Sequence, residues 1–248
     1  MKKALLSLII AVSMVATPAF AAKVRIGTEG AYAPWNFIND SGKLAGFEID
    51  LGNALCKKAG IECEFVQNEW DSMIPNLIAG NYDLIMAGMS ITDERKKSID
   101  FSMDYYPPDP SAFAAGASMS FNFDGLSGKR IATQGATVQA AYLEETYGGK
   151  NTIVSYETLD QAVADLMAGN VDMLLADGSY LKPIVDGSGG ALAITGPSPM
   201  IGGGVGIGMR KNEADLAAKM AKALEAAKAD GTVDRLIKKY FDAGPFYN

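Results

Sequence analysis

The segment Arg25-Ile26-Gly27-Thr28-Glu29-Gly30-Ala31 returns later in the chain as Arg130-Ile131-Ala132-Thr133-Gln134-Gly135-Ala136, which indicates an internal repeat. A second pair follows in the same order, with Ala79-Gly80-Asn81-Tyr82-Asp83 matched by Ala168-Gly169-Asn170-Val171-Asp172. Two diverged copies of one strand-and-helix unit explain both matches, and chance similarity between two such units is the alternative. We therefore predict two related α/β lobes.

Short β-rich runs alternate with amphipathic helical runs around these repeats, which is typical of open, mostly parallel α/β sheets flanked by helices. Thr158 and Gln161 form a candidate capping box at the start of one helix. The pattern predicts strands at 24–28, 64–66, 83–87, 130–133, 153–155 and 171–176, helices at 48–59 and 71–79, and further helices starting near Thr137 and Thr158.

The final helical runs, 212–230 and 232–241, are separated by Gly231 and bring no strands of their own. They must pack on a lobe that is already built, so the chain has to cross between the lobes twice. The segments 107–115 and 202–208 are the natural crossing points, and two crossings form a two-strand hinge. We predict a signal peptide at 1–21, a first lobe at 22–109 plus 204–248, and a second lobe at 110–203.

The N-terminus has the three parts of a secretory signal, namely Lys2 and Lys3, an apolar run over 4–16, and the small-residue site Ala19-Phe20-Ala21. A retained membrane anchor is the alternative, but the run is shorter than the roughly 20 apolar residues that a spanning helix needs. We therefore expect cleavage near Ala22 and a mature protein in the periplasm.

Acidic residues outnumber basic ones, with 29 Asp and Glu against 22 Lys and Arg and a formal charge of -7. Cleavage of the signal would remove two of the lysines and make the charge more negative. Binding to nucleic acid is therefore not expected, because it requires a basic face. No sustained heptad pattern occurs, so we expect a monomer.

The chain contains no histidine, which excludes Ser-His-acid and Cys-His catalysis, and it lacks Walker A and G-x-G-x-x-G sequences. We expect no cofactor and no metal, because two cysteines without histidine cannot complete a tetrahedral structural zinc site. Those cysteines, Cys56 and Cys63, enter an oxidising compartment, where such a pair is normally joined in a disulfide. Two buried free thiols are the alternative.

Candidate binding residues follow the predicted strands, where open α/β sheets present loops and helix N-termini to ligands. In the first lobe these are Thr28-Glu29-Gly30 and Gly88-Met89-Ser90, and in the second lobe Thr133-Gln134-Gly135 and Asp177-Gly178. Two lobes whose strand ends face each other would enclose a cleft lined by carboxylates and small polar groups.

The run Ser90-Ile91-Thr92-Asp93-Glu94-Arg95 gives this cleft a candidate group for binding an anion. Thr92 is suited to cap a short helix, and the guanidinium of Arg95 would then lie beside helix-terminal amides, a good arrangement for a carboxylate. An arginine paired with a neighbouring acid on a solvated face is the alternative.

Tyr32, Trp35 and Trp70 are the candidates for flat walls that hold a ligand side chain. A cation between aromatic faces gains about 0.5–2 kcal/mol per contact, and Glu29 could neutralise its charge. Ordinary core packing of these rings is the alternative.

Several motifs occur in a fixed order along the chain. They are 25–29 with Tyr32-Ala33-Pro34, Gly46-Phe47-Glu48-Ile49-Asp50-Leu51-Gly52-Asn53, Trp70-Asp71 with Ile74-Pro75, 90–95, Asp230-Gly231-Thr232 and Lys239-Tyr240-Phe241. In these motifs, over essentially the whole mature chain, the sequence resembles the periplasmic polar amino acid binding proteins of ABC importers, in particular the lysine/arginine/ornithine and histidine binders. The resemblance implies the two-lobed fold of type II periplasmic binding proteins.

The same resemblance implies how an amino acid ligand is held at its α-carbon. Arg95 would grip the α-carboxylate with help from Thr137. Asp177 and Ser90, with the backbone carbonyl of Gly88, would take the α-ammonium.

Further positions would hold the ligand side chain. Tyr32 and Trp70 would sandwich it, and Glu29 would pair with a cationic end. The two cysteines match the positions of the family's disulfide. The lining would be completed by Ala87, Thr133 and Ala136.

The implied function is the capture of arginine, lysine or ornithine by lobe closure and delivery to the membrane permease of an ABC importer. Glu29 is one methylene longer than the aspartate of the lysine/arginine binders and matches the choice in opine-binding relatives, so an opine or another arginine derivative is the alternative ligand. Two further hypotheses are a periplasmic enzyme resembling the cyclohexadienyl dehydratases, with Glu29 or Asp177 as its acid, and a sensor that presents its closed form to a chemoreceptor.

Overall fold

A computed structural model describes residues 23–248, and the predicted signal peptide lies outside the described residues. Within this part of the chain, no helix is long and apolar enough to cross a membrane. The strands are β1 (Val24–Thr28), β2 (Ala31–Tyr32), β3 (Asn36–Ile38), β4 (Leu44–Ala45), β5 (Cys63–Gln67), β6 (Leu84–Ile85), β7 (Asp100–Tyr106), β8 (Ser111–Gly116), β9 (Arg130–Gln134), β10 (Thr152–Tyr156), β11 (Met173–Asp177), β12 (Leu192–Thr195) and β13 (Val205–Met209). The α-helices are α1 (Phe47–Ala59), α2 (Met73–Ile78), α3 (Asp93–Ser98), α4 (Val138–Thr146), α5 (Leu159–Met167), α6 (Gly178–Gly187), α7 (Ala214–Ala229) and α8 (Thr232–Phe241).

Two five-stranded sheets form the two lobes, with strand orders β5-β1-β6-β13-β7 and β10-β9-β11-β8-β12. In each sheet one strand runs against the other four, β13 in the first sheet and β8 in the second. The predicted fold class, a two-lobed α/β architecture with mostly parallel sheets, is confirmed. A small antiparallel sheet of β2, β3 and β4 was not predicted.

The reversed strand of each sheet is the strand that the chain enters after crossing between the lobes. β7 leads through residues 107–110 into β8, and β12 leads back through residues 196–204 into β13. The crossings predicted at 107–115 and 202–208 therefore each contain part of a strand, because β8 takes residues 111–116 and β13 takes residues 205–209. The predicted lobe bounds after residues 109 and 203 fall in these connections and stay a prediction.

The internal repeat has a structural reason. In the first lobe, the carboxylate of Asp83 accepts a hydrogen bond of 2.9 Å from the backbone N–H of Arg25. In the second lobe, the carboxylate of Asp172 accepts the equivalent bond of 2.8 Å from the N–H of Arg130. In each lobe this bond joins the start of a strand, β1 or β9, to the residue just before the neighbouring strand, β6 or β11. The two lobes therefore hold these two strands together by the same contact.

Two elements are shorter than the sequence pattern predicts. β6 covers only part of the predicted strand 83–87, because Gly88 has a φ of 64° and turns the chain toward the cleft. The predicted helix 71–79 starts as a 3₁₀ turn at Trp70–Ser72 and is α-helical only in α2. The hydrogen bonds of this turn join residues three positions apart, from the N–H of Ser72 to the carbonyl of Glu69 and from the N–H of Met73 to the carbonyl of Trp70.

Three threonines begin helices as expected. The hydroxyl of Thr92 accepts a hydrogen bond from the N–H of Arg95 at 3.2 Å, and the hydroxyl of Thr137 caps α4 at 3.1 Å. Thr158 and Gln161 form both bonds of the predicted capping box. These caps satisfy N–H groups that have no partner inside the helix, and they orient the loops that enter the cleft.

The C-terminal helices α7 and α8 pack on α1 of the first lobe. Phe47, Leu51 and Leu55 of α1 are fully buried, and burial of each such side chain contributes about 1.5–3 kcal/mol. The predicted disulfide is confirmed, with Cys56 and Cys63 joining α1 to β5 across a Cα–Cα distance of 6.2 Å.

Candidate functional site

A cavity lies between the two lobes, at the carboxyl ends of β1, β6, β9 and β11. Its lining includes most of the residues that the sequence singles out, and both lobes contribute to it. Those residues are Glu29, Tyr32, Trp70, Ala87, Gly88, Ser90, Arg95, Thr133, Thr137 and Asp177.

Ala136 was predicted as a ligand contact but does not line the cavity. Its backbone carbonyl instead accepts a hydrogen bond of 3.3 Å from the indole Nε1 of Trp70, which joins the two lobes. Five further residues line the cavity without having been predicted as ligand contacts, and these are Val138, Gln139, Leu159, Leu175 and Ala176. Gln134, a candidate by its place at a strand end, lines the cavity as well. Val138 and Gln139 directly follow Thr137, and this position is the signal that could have identified them.

Hydrogen bonds between the two lobes cross the cavity, and the free space that remains is small. The hydroxyl of Tyr32 donates a hydrogen bond to Asp177, and Nε2 of Gln134 donates one of 2.6 Å to Oε1 of Glu29. The free volume is about 30 Å³, room for roughly two water molecules. This volume leaves no room for a larger molecule while these contacts are formed.

Glu29 is the buried acid at one side of the cavity, with 6% of its surface exposed. Burial raises the pKa of Glu29 to about 7, and the hydrogen bond from Gln134 partly offsets this effect. The nearby carboxylates of Asp160, Glu48 and Asp71 raise the pKa further. A cation beside Glu29 would stabilise the ionised form of this carboxyl group, because it would replace the interactions with water that burial removes.

Arg95 lies in the first turn of α3 and faces the cavity. Its Nη1 donates a hydrogen bond of 2.9 Å to the carbonyl of Ser90, and its guanidinium carbon is 5.2 Å from the ring centre of Trp70. The neighbouring acids of α3 pair with lysines of the same helix, so the surface ion pair considered as the alternative is not formed by Arg95. Burial lowers the pKa of Arg95 to about 10, and the group stays cationic at neutral pH.

Asp177 ends β11 in the second lobe and faces the first. It accepts hydrogen bonds from the Tyr32 hydroxyl and, at 2.7 Å, from Nε2 of Gln139. Burial raises the pKa of Asp177 to about 6, although both hydrogen bonds and the charge of Arg95 act in the opposite direction. The cavity thus carries one guanidinium and two carboxyl groups.

The three candidate aromatic walls have different surroundings. Trp35 is 1% exposed and packs against Phe47 with ring centres 5.7 Å apart, so it belongs to the core and the expectation of a wall is wrong for it. Tyr32 is in short strand β2 and stacks on Tyr180 at 4.9 Å. Trp70 begins the 3₁₀ turn and reaches the cavity edge.

Glu48 bonds to segments next to the cavity, and this role was not predicted. This fully buried side chain accepts hydrogen bonds from Nδ2 of Asn36 at 2.6 Å, from the N–H of Gly88 at 2.7 Å and from the hydroxyl of Tyr105. Asn36 in turn accepts a bond of 2.7 Å from the N–H of Gly30. Glu48 therefore links the chain beside Glu29 to the loop at Gly88.

No group of three or more potential metal-ligating acids or cysteines occurs within residues 23–248. The cavity offers a bound molecule hydrogen bonds and charge complementarity. Its cationic and acidic groups suit a zwitterion whose carboxylate approaches Arg95 and whose positive groups approach Asp177 and Glu29.

Known proteins similar to this chain are solute-binding proteins. The chain is 37% identical to the lysine/arginine/ornithine-binding periplasmic protein of Escherichia coli strain K12, over 98% of this chain and 98% of that protein. It is 34% identical to the octopine-binding periplasmic protein of Rhizobium meliloti, over 88% of this chain and 90% of that protein.

The same class appears among solved structures. A periplasmic His/Glu/Gln/Arg/opine family-binding protein from Silicibacter pomeroyi, solved in complex with lysine, has a TM-score of 0.83 and 48% identity, covering 90% of this chain and 100% of that chain. Residues 24–243 match the family described as bacterial extracellular solute-binding proteins, family 3. Because this match spans most of its length, the chain belongs to the family 3 bacterial extracellular solute-binding proteins.

Proposed function

We propose that this protein binds a cationic amino acid, arginine, lysine or ornithine, by closing its lobes, and delivers it to an ABC importer. The observation that carries the proposal is the buried carboxyl group of Glu29 in the same cavity as Arg95 and Asp177. Ligand contacts with both lobes would stabilise the closed arrangement, which is the hinge motion that such a two-lobed fold allows.

Charge balance supports this class of ligand. When ionised, Arg95 contributes one positive charge, and Glu29 and Asp177 contribute two negative charges. A zwitterion with one additional side-chain cation would bring the enclosed site to neutrality. A neutral amino acid would leave Glu29 either ionised and unpaired or protonated, and burial of an unpaired charge is costly.

The roles follow from the positions of these groups. Arg95 would bind the α-carboxylate together with Thr137, whose hydroxyl caps α4. Asp177, Ser90 and the carbonyl of Gly88 would bind the α-ammonium. The side chain would extend past Tyr32 and Trp70, with Ala87 and Thr133 along its path, and its cation would approach Glu29.

The names of the relatives support a periplasmic place of action. Both curated relatives cited above are named as periplasmic proteins, and the chain aligns with nearly the whole length of each. We infer that the mature protein is a periplasmic monomer without catalytic activity, and that an importer permease receives its ligand.

An opine is the second candidate ligand, because one relative is named as an octopine-binding protein. An opine carries an additional carboxylate on its α-nitrogen. That group would lie near Asp177, and Arg95 is the cationic residue among the described residues that line the cavity. A like charge beside Asp177 is unfavourable, so the unmodified cationic amino acids are the first choice.

A thermal-unfolding screen tests the proposal. Protein that has been unfolded, dialysed and refolded is heated with each common amino acid, with octopine and with nopaline, because a ligand that binds only the native state raises the melting temperature. The largest rise is expected with arginine, lysine or ornithine. A largest rise with glutamine would contradict the cationic ligand, and no rise with any ligand would contradict the binding function and call for a turnover assay with prephenate and arogenate.

A further inference from the structure

A second cavity, which we call the outer pocket, lies beside the ligand cavity. Its wall includes Glu29 and Trp70, which also line the ligand cavity, together with Gln67, Glu69 and Glu157. Its free volume is about 570 Å³, against about 30 Å³ in the ligand cavity. Space for a larger ligand therefore lies on the Glu29 side of the site.

The shared residues define the direction from one cavity to the other. Arg95 and Asp177 line the ligand cavity only, whereas Glu29 and Trp70 line both. In the proposed function, Arg95 and Asp177 hold the groups on the α-carbon and Glu29 receives the cation at the far end. The outer pocket consequently lies beyond the far end of the ligand side chain.

The outer pocket has a chemistry of its own. Glu69 and Glu157 are exposed on its wall, and within residues 23–248 neither carboxylate takes part in a hydrogen bond or an ion pair. None of the described residues that line it is a lysine or an arginine. The face of Trp70 adds an apolar surface that also attracts cations. A positively charged group with small alkyl substituents fits this combination.

We propose that the outer pocket is a subsite for alkyl substituents on the distal nitrogen of a cationic amino acid. The substrate class is the N-alkylated guanidinium and ammonium amino acids, of which NG,NG-dimethyl-L-arginine is an example. Alkylation keeps the positive charge that Glu29, Glu69 and Glu157 favour, whereas acylation of a side-chain amine removes it. This inference rests on the proposed function, because the orientation of the ligand comes from it.

Calorimetric titration of the full mature chain with L-arginine and with NG,NG-dimethyl-L-arginine tests the subsite. We expect the two dissociation constants to differ by less than about tenfold, since the methyl groups enter space that is already open. Octopine serves as the comparison ligand, because its extension lies at the α-nitrogen and not at the distal end.

Two pairs of variants separate the effect of bulk at the pocket wall from the effect of its charge. Glu69→Trp and Glu157→Trp place a large ring in the outer pocket, while Glu69→Gln and Glu157→Gln remove the same charges without added bulk. The tryptophan variants should weaken binding of the dimethylated ligand by about tenfold more than binding of arginine, and the glutamine variants should not show this difference.

The outcomes distinguish failure of the proposed subsite from failure of the proposed function. If arginine binds and the dimethylated ligand does not, or if the tryptophan variants weaken both ligands equally, the subsite is refuted and the proposed function stands. If no cationic amino acid binds, the proposed function itself fails and the subsite falls with it.

Discussion

The side-chain amide of Gln134 donates a hydrogen bond to the carboxyl group of Glu29, with a distance of 2.6 Å between Nε2 and Oε1. The two residues hold the same place in the repeated motif, one directly after β1 and the other at the end of β9. The internal repeat thus brings its own two copies together across the cleft. A second bond of 2.9 Å to the carbonyl of Glu157 fixes the amide, so it is well placed to orient Glu29.

Substituting Gln134→Leu tests this contact. Because the bond from Gln134 lowers the pKa of Glu29, its loss should raise that pKa and leave more of the acid protonated near neutral pH. We expect weaker arginine binding at pH 6.5 and recovery of most of the affinity at pH 8.5, measured by calorimetry. Equal weakening at both pH values would show that Gln134 acts only through packing.

Arginine affinity of the unaltered protein should also depend on pH. Burial raises the pKa of Glu29 to about 7 and that of Asp177 to about 6, and a bound cation requires the ionised forms. The affinity for arginine is therefore highest above the raised pKa values. It falls as the pH decreases through them, by up to about tenfold per pH unit for each group. Titrations from pH 5 to pH 8.5 measure the profile, and Glu29→Gln should flatten its upper part. A profile without slope in this range would contradict the assignment.

We expect Arg95 to be essential for ligand binding and to contribute little to the stability of the fold. Its side chain makes one hydrogen bond within residues 23–248, to the carbonyl of Ser90, and it lies over Trp70. Arg95→Ala should abolish detectable binding, and Arg95→Lys should cost about 2–3 kcal/mol because an ammonium cannot bind a carboxylate in two places. Calorimetry measures the loss, and the melting temperature of each unliganded variant shows whether it is folded. Normal binding by Arg95→Ala would refute its role.

Glu48 should contribute to both ligand binding and the stability of the fold. Glu48→Ala removes the acceptor for Asn36, for the N–H of Gly88 and for Tyr105, all in a fully buried place. Unpaired buried donors cost about 1–3 kcal/mol each, so we expect a loss of roughly 3 kcal/mol or more in the free energy of unfolding by urea. Glu48→Gln keeps one acceptor oxygen and should lose less. Equal stability of Glu48→Ala and the unaltered protein would contradict the network.

The parts of the fold that depend on local sequence were predictable. β1 and β9 carry the repeated motif, and Thr92 and Thr158 cap helices through residues three positions away. These features need only neighbouring residues and the period of the apolar pattern. The disulfide was predictable as well, because the chain has only two cysteines and the predicted signal peptide would bring them into an oxidising compartment.

The features that were missed depend on contacts between distant segments. β13 reads as a glycine-rich crossing, but it pairs with both β6 and β7 and so becomes a strand. Glu48 reads as an ordinary acid of a first helical turn, and only the approach of Gly88 and Tyr105 makes it a buried acceptor. Gln134 was placed at a strand end without a role, because its partner Glu29 belongs to the other lobe.

We propose that Glu29 recognises the cation at the end of the ligand side chain. The most direct test compares L-arginine with L-citrulline, which replaces the guanidinium by a neutral group of nearly the same shape, in calorimetric titrations at pH 8. We expect arginine to bind the unaltered protein at least about 30-fold more tightly, since loss of a charged hydrogen bond costs roughly 2–3 kcal/mol, and we expect Glu29→Gln to remove most of this preference. Equal affinity of the unaltered protein for arginine and citrulline would contradict this role of Glu29.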